Sequence, residues 1–100
     1  MAKRTVIWSL RAINGKLEIY QYWIERNHST RYAEKLDDLF NEVLELTSLF
    51  PKAGIQTEIK SVRFRTVREY KLIYRVSDDS IEVITVWDNR RNFNDLDIKE

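Results

Sequence analysis

The sequence predicts an α+β domain ordered β-α-α-β-β-β, with a helical hairpin packed on a curled antiparallel sheet. Three observations predict it. Apolar residues recur at helical spacing over residues 10–50, with one break at 27–30. The period falls to two after Gly54, and Ser77-Asp78-Asp79-Ser80 separates two strand-like runs. A length of 100 residues matches about one domain, expected over residues 1–94 with a short polar tail at 95–100.

The first strand spans residues 4–8, short and rich in β-branched and aromatic side chains, and it stops at Ser9, a residue type favoured at helix N-caps. Leu10, Ile13, Leu17, Tyr20 and Ile24 then follow the 3-4-3-4 spacing of one helical stripe, widened by Ile19 and Trp23. Gly15 inside this run costs about 1 kcal/mol relative to alanine, which weakens the first turns. Asn27-His28-Ser29-Thr30 supplies a break and a new N-cap. In the second helix Tyr32, Leu36, Leu39, Phe40, Val43, Leu44, Thr47 and Phe50 share a face, while Glu34, Asp37, Asp38, Glu42 and Glu45 lie mostly off it. Pro51 disfavours helix in the residue before it and Gly54 accommodates the turn that follows. Helices joined by so short a break lie antiparallel.

Beyond Gly54, Val62, Phe64 and Thr66 alternate with Arg63, Arg65 and Val67, and Leu72, Tyr74 and Val76 with Lys71, Ile73 and Arg75. The turn formers at 77–80 make a hairpin of strands 71–76 and 81–87. In the last strand Ile81, Val83, Thr85 and Trp87 oppose Glu82, Ile84 and Val86, so both faces are largely apolar and a central position is expected.

Composition narrows the function. There are no cysteines and one histidine, which excludes disulfides and thiolate chemistry and leaves little for a zinc site. No apolar stretch is long enough for a signal peptide or a membrane span, so a cytoplasmic protein is expected. The net charge of +1 conceals a division. Residues 29–50 carry five acids against two bases, whereas residues 60–76 carry Lys60, Arg63, Arg65, Arg68, Lys71 and Arg75 against Glu69 alone. Such a basic segment suits phosphates or an acidic partner. A pI of about 8 argues against general DNA binding.

The run Leu49-Phe50-Pro51-Lys52-Ala53-Gly54 after a helical hairpin comes first in an ordered set of segments. Val62-Arg63 to Arg68 follows, then Tyr70-Lys71-Leu72-Ile73-Tyr74-Arg75-Val76, then residues 81–88 with Asn89-Arg90-Arg91-Asn92. Taken together these resemble the RelE/ParE toxins of bacterial type II toxin–antitoxin (plasmid stabilisation) systems over residues 5–94. The resemblance implies growth inhibition, a cognate antitoxin laid on the hairpin and sheet in a hetero-oligomer, and no cofactor. It also implies one of two targets: DNA gyrase for ParE-like members, or messenger RNA cut in the ribosomal A site for RelE-like members.

Metal-free RNA cleavage needs a proton acceptor, a proton donor and cations around the phosphate. Arg63, Arg65, Arg68, Lys71, Arg75, Arg90 and Arg91 are the expected target- or antitoxin-binding residues, and Arg68, Lys71 and Arg90 are the catalytic candidates if cleavage occurs. Where RNA-cutting relatives are similar in carrying Tyr-Arg-hydrophobic-hydrophobic-Tyr, this chain has Lys71 at the arginine position, which keeps the charge but loses the bidentate fork. Near the C-terminus, where such relatives have a tyrosine or histidine, it has Phe93. Glu69, Tyr70 and Asp88 are expected to be a turn residue paired with an arginine, a half-buried strand residue, and a cap or partner of Arg90 or Arg91. His28 is expected to cap or be solvated, and Trp8, Trp23 and Trp87 to pack in the core. The long hairpin resembles the ParE-like branch, making gyrase binding the leading expectation. A ribosome-dependent endonuclease and a non-toxic antitoxin-binding module are the alternatives.

Overall fold

Ser9 divides the first strand from the first helix. Its backbone is extended and its Oγ accepts from Ala12 N–H at 3.0 Å while donating to the Ile84 carbonyl at 2.8 Å, which caps the helix and ties it to the last strand. The computed structural model describes residues 3–98, the Phe93 side chain excepted. Its elements are β1 (Thr5–Trp8), α1 (Leu10–Asn27), α2 (Arg31–Leu49), β2 (Ile55–Gln56), β3 (Val62–Val67), β4 (Tyr70–Val76) and β5 (Ser80–Asp88), with 3-10 turns at Pro51–Ala53 and Phe93–Asp95.

The helices form the expected antiparallel hairpin. His28, at the C-cap of α1, takes the left-handed conformation with φ 51°, and Ser29 Oγ accepts from Arg31 N–H at 3.2 Å. On α1 the buried stripe differs from the expected one. Leu10 and Leu17 are 73% and 54% exposed, whereas Ala12 is fully buried and Ile19, Tyr20 and Trp23 pack on the core. The reason is close approach to the sheet. The small residues Ala12 and Gly15 let α1 sit near β5, and a Cβ added at Gly15 would stand 3.9 Å from the Val86 carbonyl. On α2 the expected face is buried at Leu36, Phe40, Leu44 and Thr47. Phe50 leaves it: the residue before Pro51 turns out of the helix and is 56% exposed.

Five strands form one sheet in the order β1-β5-β4-β3-β2. The expected antiparallel ladders join β3 to β4 and β4 to β5, and β2, a two-residue addition, pairs antiparallel with β3. β1 instead runs parallel to β5, from Thr5↔Ser80 to Trp8↔Val83, so the sheet is mixed. β5 is an interior strand between β1 and β4, while β4 takes the centre, and the turn at 77–80 closes with Ser77 N–H donating to the Ser80 carbonyl at 3.0 Å.

A bulge opposite Ile73/Tyr74 breaks the alternation expected in β5. Val83 and Val86, three residues apart, both join the helix-side core of Ala12, Leu36, Phe40, Leu44, Tyr70 and Leu72. Ile84 and Trp87 go to the other face with Val62 and Ile73. Both faces are thus apolar, as expected, but the residues are partitioned differently.

Pro51 and Gly54 end the hairpin by different means. Gly54 has φ −75°, so it needs no left-handed backbone. It is small because Tyr74 passes over it: a Cβ would stand 2.1 Å from Tyr74 Oη and 2.9 Å from the Phe64 carbonyl. Tyr74 donates from there to the Pro51 carbonyl at 2.7 Å.

Candidate target-binding surface

The register of β3 and β4 distributes the seven cations over both faces and one end of the sheet. Arg63 pairs with Tyr74 and Arg65 with Leu72, which places both on the helix side with Val67. Arg63 Nη1 donates to the Gly54 carbonyl at 2.9 Å and the Lys52 carbonyl at 3.3 Å, clamping the segment after α2. Burial pushes the Tyr74 pKa up, and the charges of Arg63 and Arg65 act in the opposite direction. Lys71 and Arg75 lie on the opposite face, opposite Thr66 and Val62. Arg75 stands toward the far end of β4, where its Nη1 reaches Ser61 Oγ at 3.4 Å.

Four of the seven converge. The β3–β4 turn is Arg68-Glu69, with Arg68 left-handed at φ 56°, and the Glu69 carbonyl accepts from Asn89 N–H at 2.8 Å. The Asn89 side chain accepts from Lys71 Nζ. These bonds dock the turn against the loop that carries Arg90 and Arg91, so Arg68, Lys71, Arg90 and Arg91 gather at one end of the sheet. Arg91 lies 4.3 Å over the Trp87 ring, and Lys71 lies 5.5 Å from the Phe64 ring centroid.

A cleft of about 530 Å³ opens beside this end, between α1 and the end of β5. Arg11, Asn14, Glu18 and Tyr22 line it from the helix, facing Asp88 and Arg90. The expectations did not include these helix residues. Their signal was available: Arg11, Glu18 and Tyr22 are spaced by seven and four, one polar stripe of α1.

Groups able to move a proton at this end are engaged in the structure. Tyr70 is 2% exposed rather than half-buried, and its hydroxyl accepts from Trp23 Nε1 at 2.8 Å; burial pushes its pKa up. Asp88 pairs with Arg90, with Arg90 Nη2 at 2.6 Å and Arg90 backbone N–H at 2.9 Å, and this neighbour holds the carboxyl below the usual carboxylate range. The same pairing, with a smaller effect of Tyr22, pushes the Arg90 pKa up. Glu69 occupies the exposed turn, where its backbone carbonyl is the docking group.

The remaining aromatic candidates are structural. Trp87 is 3% exposed, Trp23 packs on Tyr32 with ring centroids 4.7 Å apart, and Trp8 is half-buried under Lys16 Nζ, 4.0 Å from its ring centroid. Phe93, weighed as a counterpart of a C-terminal catalytic residue, has its side chain outside the described part of the structure. Among the described residues no three His, Asp or Glu side chains come together as a metal site. Nor is any described helix long and apolar enough to cross a membrane.

A helical hairpin on a mixed sheet, with a cation-rich end built from a hairpin turn and the loop after the last strand, defines a small α+β domain. The family described as "ParE toxin of type II toxin-antitoxin system, parDE" matches residues 6–93, and the chain belongs to it. Among solved structures the chain is similar to one described as "Chromosomal ParDE TA system from P. aeruginosa", with a TM-score of 0.71 and 17% sequence identity. That similarity covers 86% of this chain and 96% of the other, and it bears on the fold. Comparison with curated proteins gives no match.

Proposed function

We propose that the chain is a cytoplasmic toxin that inhibits growth by binding DNA gyrase through the end carrying Arg68, Lys71, Arg90 and Arg91, and that a cognate antitoxin neutralises it in a hetero-oligomer. Membership of the ParE family supports the toxin reading, and the convergence of four cations supports the place of contact. A binding mode fits this end better than RNA cleavage does. It offers positive charge and hydrogen-bond donors to an acidic surface, while Tyr70 and Asp88, the residues suited to proton transfer, are committed to Trp23 and Arg90.

The test is induction of the chain in cells, followed within minutes by plasmid topology and message integrity. Loss of negative supercoiling with intact messages, reversed by co-expressed antitoxin, is the expected result. Codon-positioned cuts in messages would replace the gyrase reading with a ribosome-dependent endonuclease. Growth without either effect would leave an antitoxin-binding module.

A further inference from the structure

The end of the sheet away from Arg68, Arg90 and Arg91 is cationic as well. Lys52, Lys60, Arg63 and Arg75 line a single cavity of about 500 Å³ there, with Ile59, Ser61 and Val76 between them. Arg63 and Arg75 are half-buried, and Lys52 and Lys60 are exposed. Among the described residues no carboxylate lines this cavity. Glu82 stands opposite Arg75 in the β4–β5 ladder without reaching it, and Glu58 lines the neighbouring groove with Thr57 and Phe64.

The cations arrive from three segments that hydrogen bonds fasten together. Arg63 Nη1 donates to the Lys52 and Gly54 carbonyls, which holds the 3-10 turn that carries Lys52. The Gln56 amide donates to the carbonyls of Ile59 and Lys60 at 2.8 Å and 2.9 Å, and Thr57 Oγ1 donates to the Val62 carbonyl at 2.8 Å. These bonds shape the loop that carries Lys60. Val76 N–H joins that loop to β4 by donating to the Ser61 carbonyl at 2.9 Å, beside the contact of Arg75 Nη1 with Ser61 Oγ. The site is therefore organised before any ligand arrives.

Gathering four cations around one cavity opposes folding through like-charge repulsion, relieved only in part by solvent and salt. A bound anion reverses the sign of that interaction. A phosphate group carries roughly two negative charges at neutral pH, so one group offsets about half of the four cations and a diphosphate offsets most of them. The donors suit such a ligand: planar guanidiniums match phosphate oxygens, and the ammonium groups add point charge. A volume near 500 Å³ lies in the range of small-molecule sites.

We propose that this cavity is a diphosphate-binding site, which takes the group as free pyrophosphate or as part of a nucleoside diphosphate. Arg63 and Arg75 meet the oxygens from the half-buried side, Lys52 and Lys60 complete the charge from the exposed side, and Ile59 and Val76 offer a nucleoside an apolar wall. The site lies at the opposite end of the sheet from the proposed gyrase contact and does not depend on it.

The test is isothermal titration of the full-length chain with pyrophosphate, adenosine diphosphate and inorganic phosphate at one fixed ionic strength. Pyrophosphate binds at one site per chain, and inorganic phosphate binds roughly tenfold more weakly or less. Adenosine diphosphate binding more tightly than pyrophosphate identifies a nucleotide as the source of the group; equal or weaker binding identifies the free diphosphate. Lys52→Gln with Lys60→Gln weakens pyrophosphate binding by roughly tenfold or more. Arg31→Gln with Lys35→Gln removes the same charge from α2 and leaves the affinity unchanged. Absence of pyrophosphate binding to the wild type overturns the proposal. Equal losses in the two double variants overturn it too, because they mark attraction to net charge alone. Should the Lys52, Lys60 variant fail to fold, Lys60→Gln set against Lys35→Gln gives the same comparison under the same criteria.

Discussion

Gly54 and Gly15 are the only glycines of the chain, and they are expected to respond in opposite ways to alanine. At Gly54 a Cβ would collide with Tyr74 Oη and approach the Phe64 backbone, so Gly54→Ala is expected to cost about 2 kcal/mol or more through overpacking. At Gly15 the added Cβ meets the Val86 carbonyl at an ordinary 3.9 Å, and Gly15→Ala is expected to stabilise α1 by roughly 0.5–1 kcal/mol. Urea unfolding of both variants checks the pair. Sequence identified Gly54 as a boundary but suggested the wrong reason, since the crowding comes from Tyr74, twenty positions along the chain. Asp88 offers a second residue-scale test. Its pKa lies lower folded than unfolded, so its pairing with Arg90 stabilises the fold above the unfolded value, near pH 4, and that contribution is lost as pH falls through the folded value. Asp88→Asn is therefore expected to flatten the acid limb of a stability–pH profile. An unchanged limb would contradict the pairing.

At the scale of elements, the two caps that end β1 and α2 were legible because Ser9 and Pro51 act through their own backbone neighbours. Ser9→Ala removes the Ala12 cap and the bond to Ile84 together and is expected to lower stability by about 1–2 kcal/mol, measured by thermal or urea unfolding. The burial of α1 was less legible. A count of large apolar residues favours Leu10 and Leu17, but the face that meets β5 is chosen by the smallness of Ala12 and Gly15, and proximity to a sheet is not a local property. The β5 bulge escaped for a similar reason. One extra residue between Val83 and Val86 exchanges the faces of everything after it, and a twofold pattern carries no mark of where that happens. The parallel pairing of β1 likewise depends on the path of the hairpin rather than on the strand itself. The Tyr20–Asp37 bond between helices, at 2.8 Å, yields another test. Burial and the neighbouring carboxylate push the Tyr20 pKa up, so stability present below pH 10 should fall as the pH rises past that unfolded value. Tyr20→Phe should weaken that alkaline dependence in a melting-temperature series.

For the whole molecule, sequence showed a basic segment and structure redistributed it. Arg63 became a clamp on the Gly54 carbonyl, and Arg63→Ala is expected to cost about 1–2 kcal/mol of stability, seen as a lower urea midpoint. Arg75 lies toward the far end of β4, and Arg90 and Arg91, outside the segment, joined Arg68 and Lys71 through two hydrogen bonds of Asn89. Charge counted along a chain cannot reveal such an assembly, because it is made by two loops meeting at one end of a sheet. The family match shows the ParE toxin family, while the proposed target-binding surface rests on this convergence. The most direct measurement is DNA supercoiling by purified gyrase in the presence of the wild-type chain and of its Arg90→Glu, Arg91→Glu variant, both with matched melting temperatures. Inhibition by the wild type and at least a tenfold weaker effect of the variant are expected. Full gyrase activity in an excess of the wild-type chain, or equal inhibition by the variant, would contradict it.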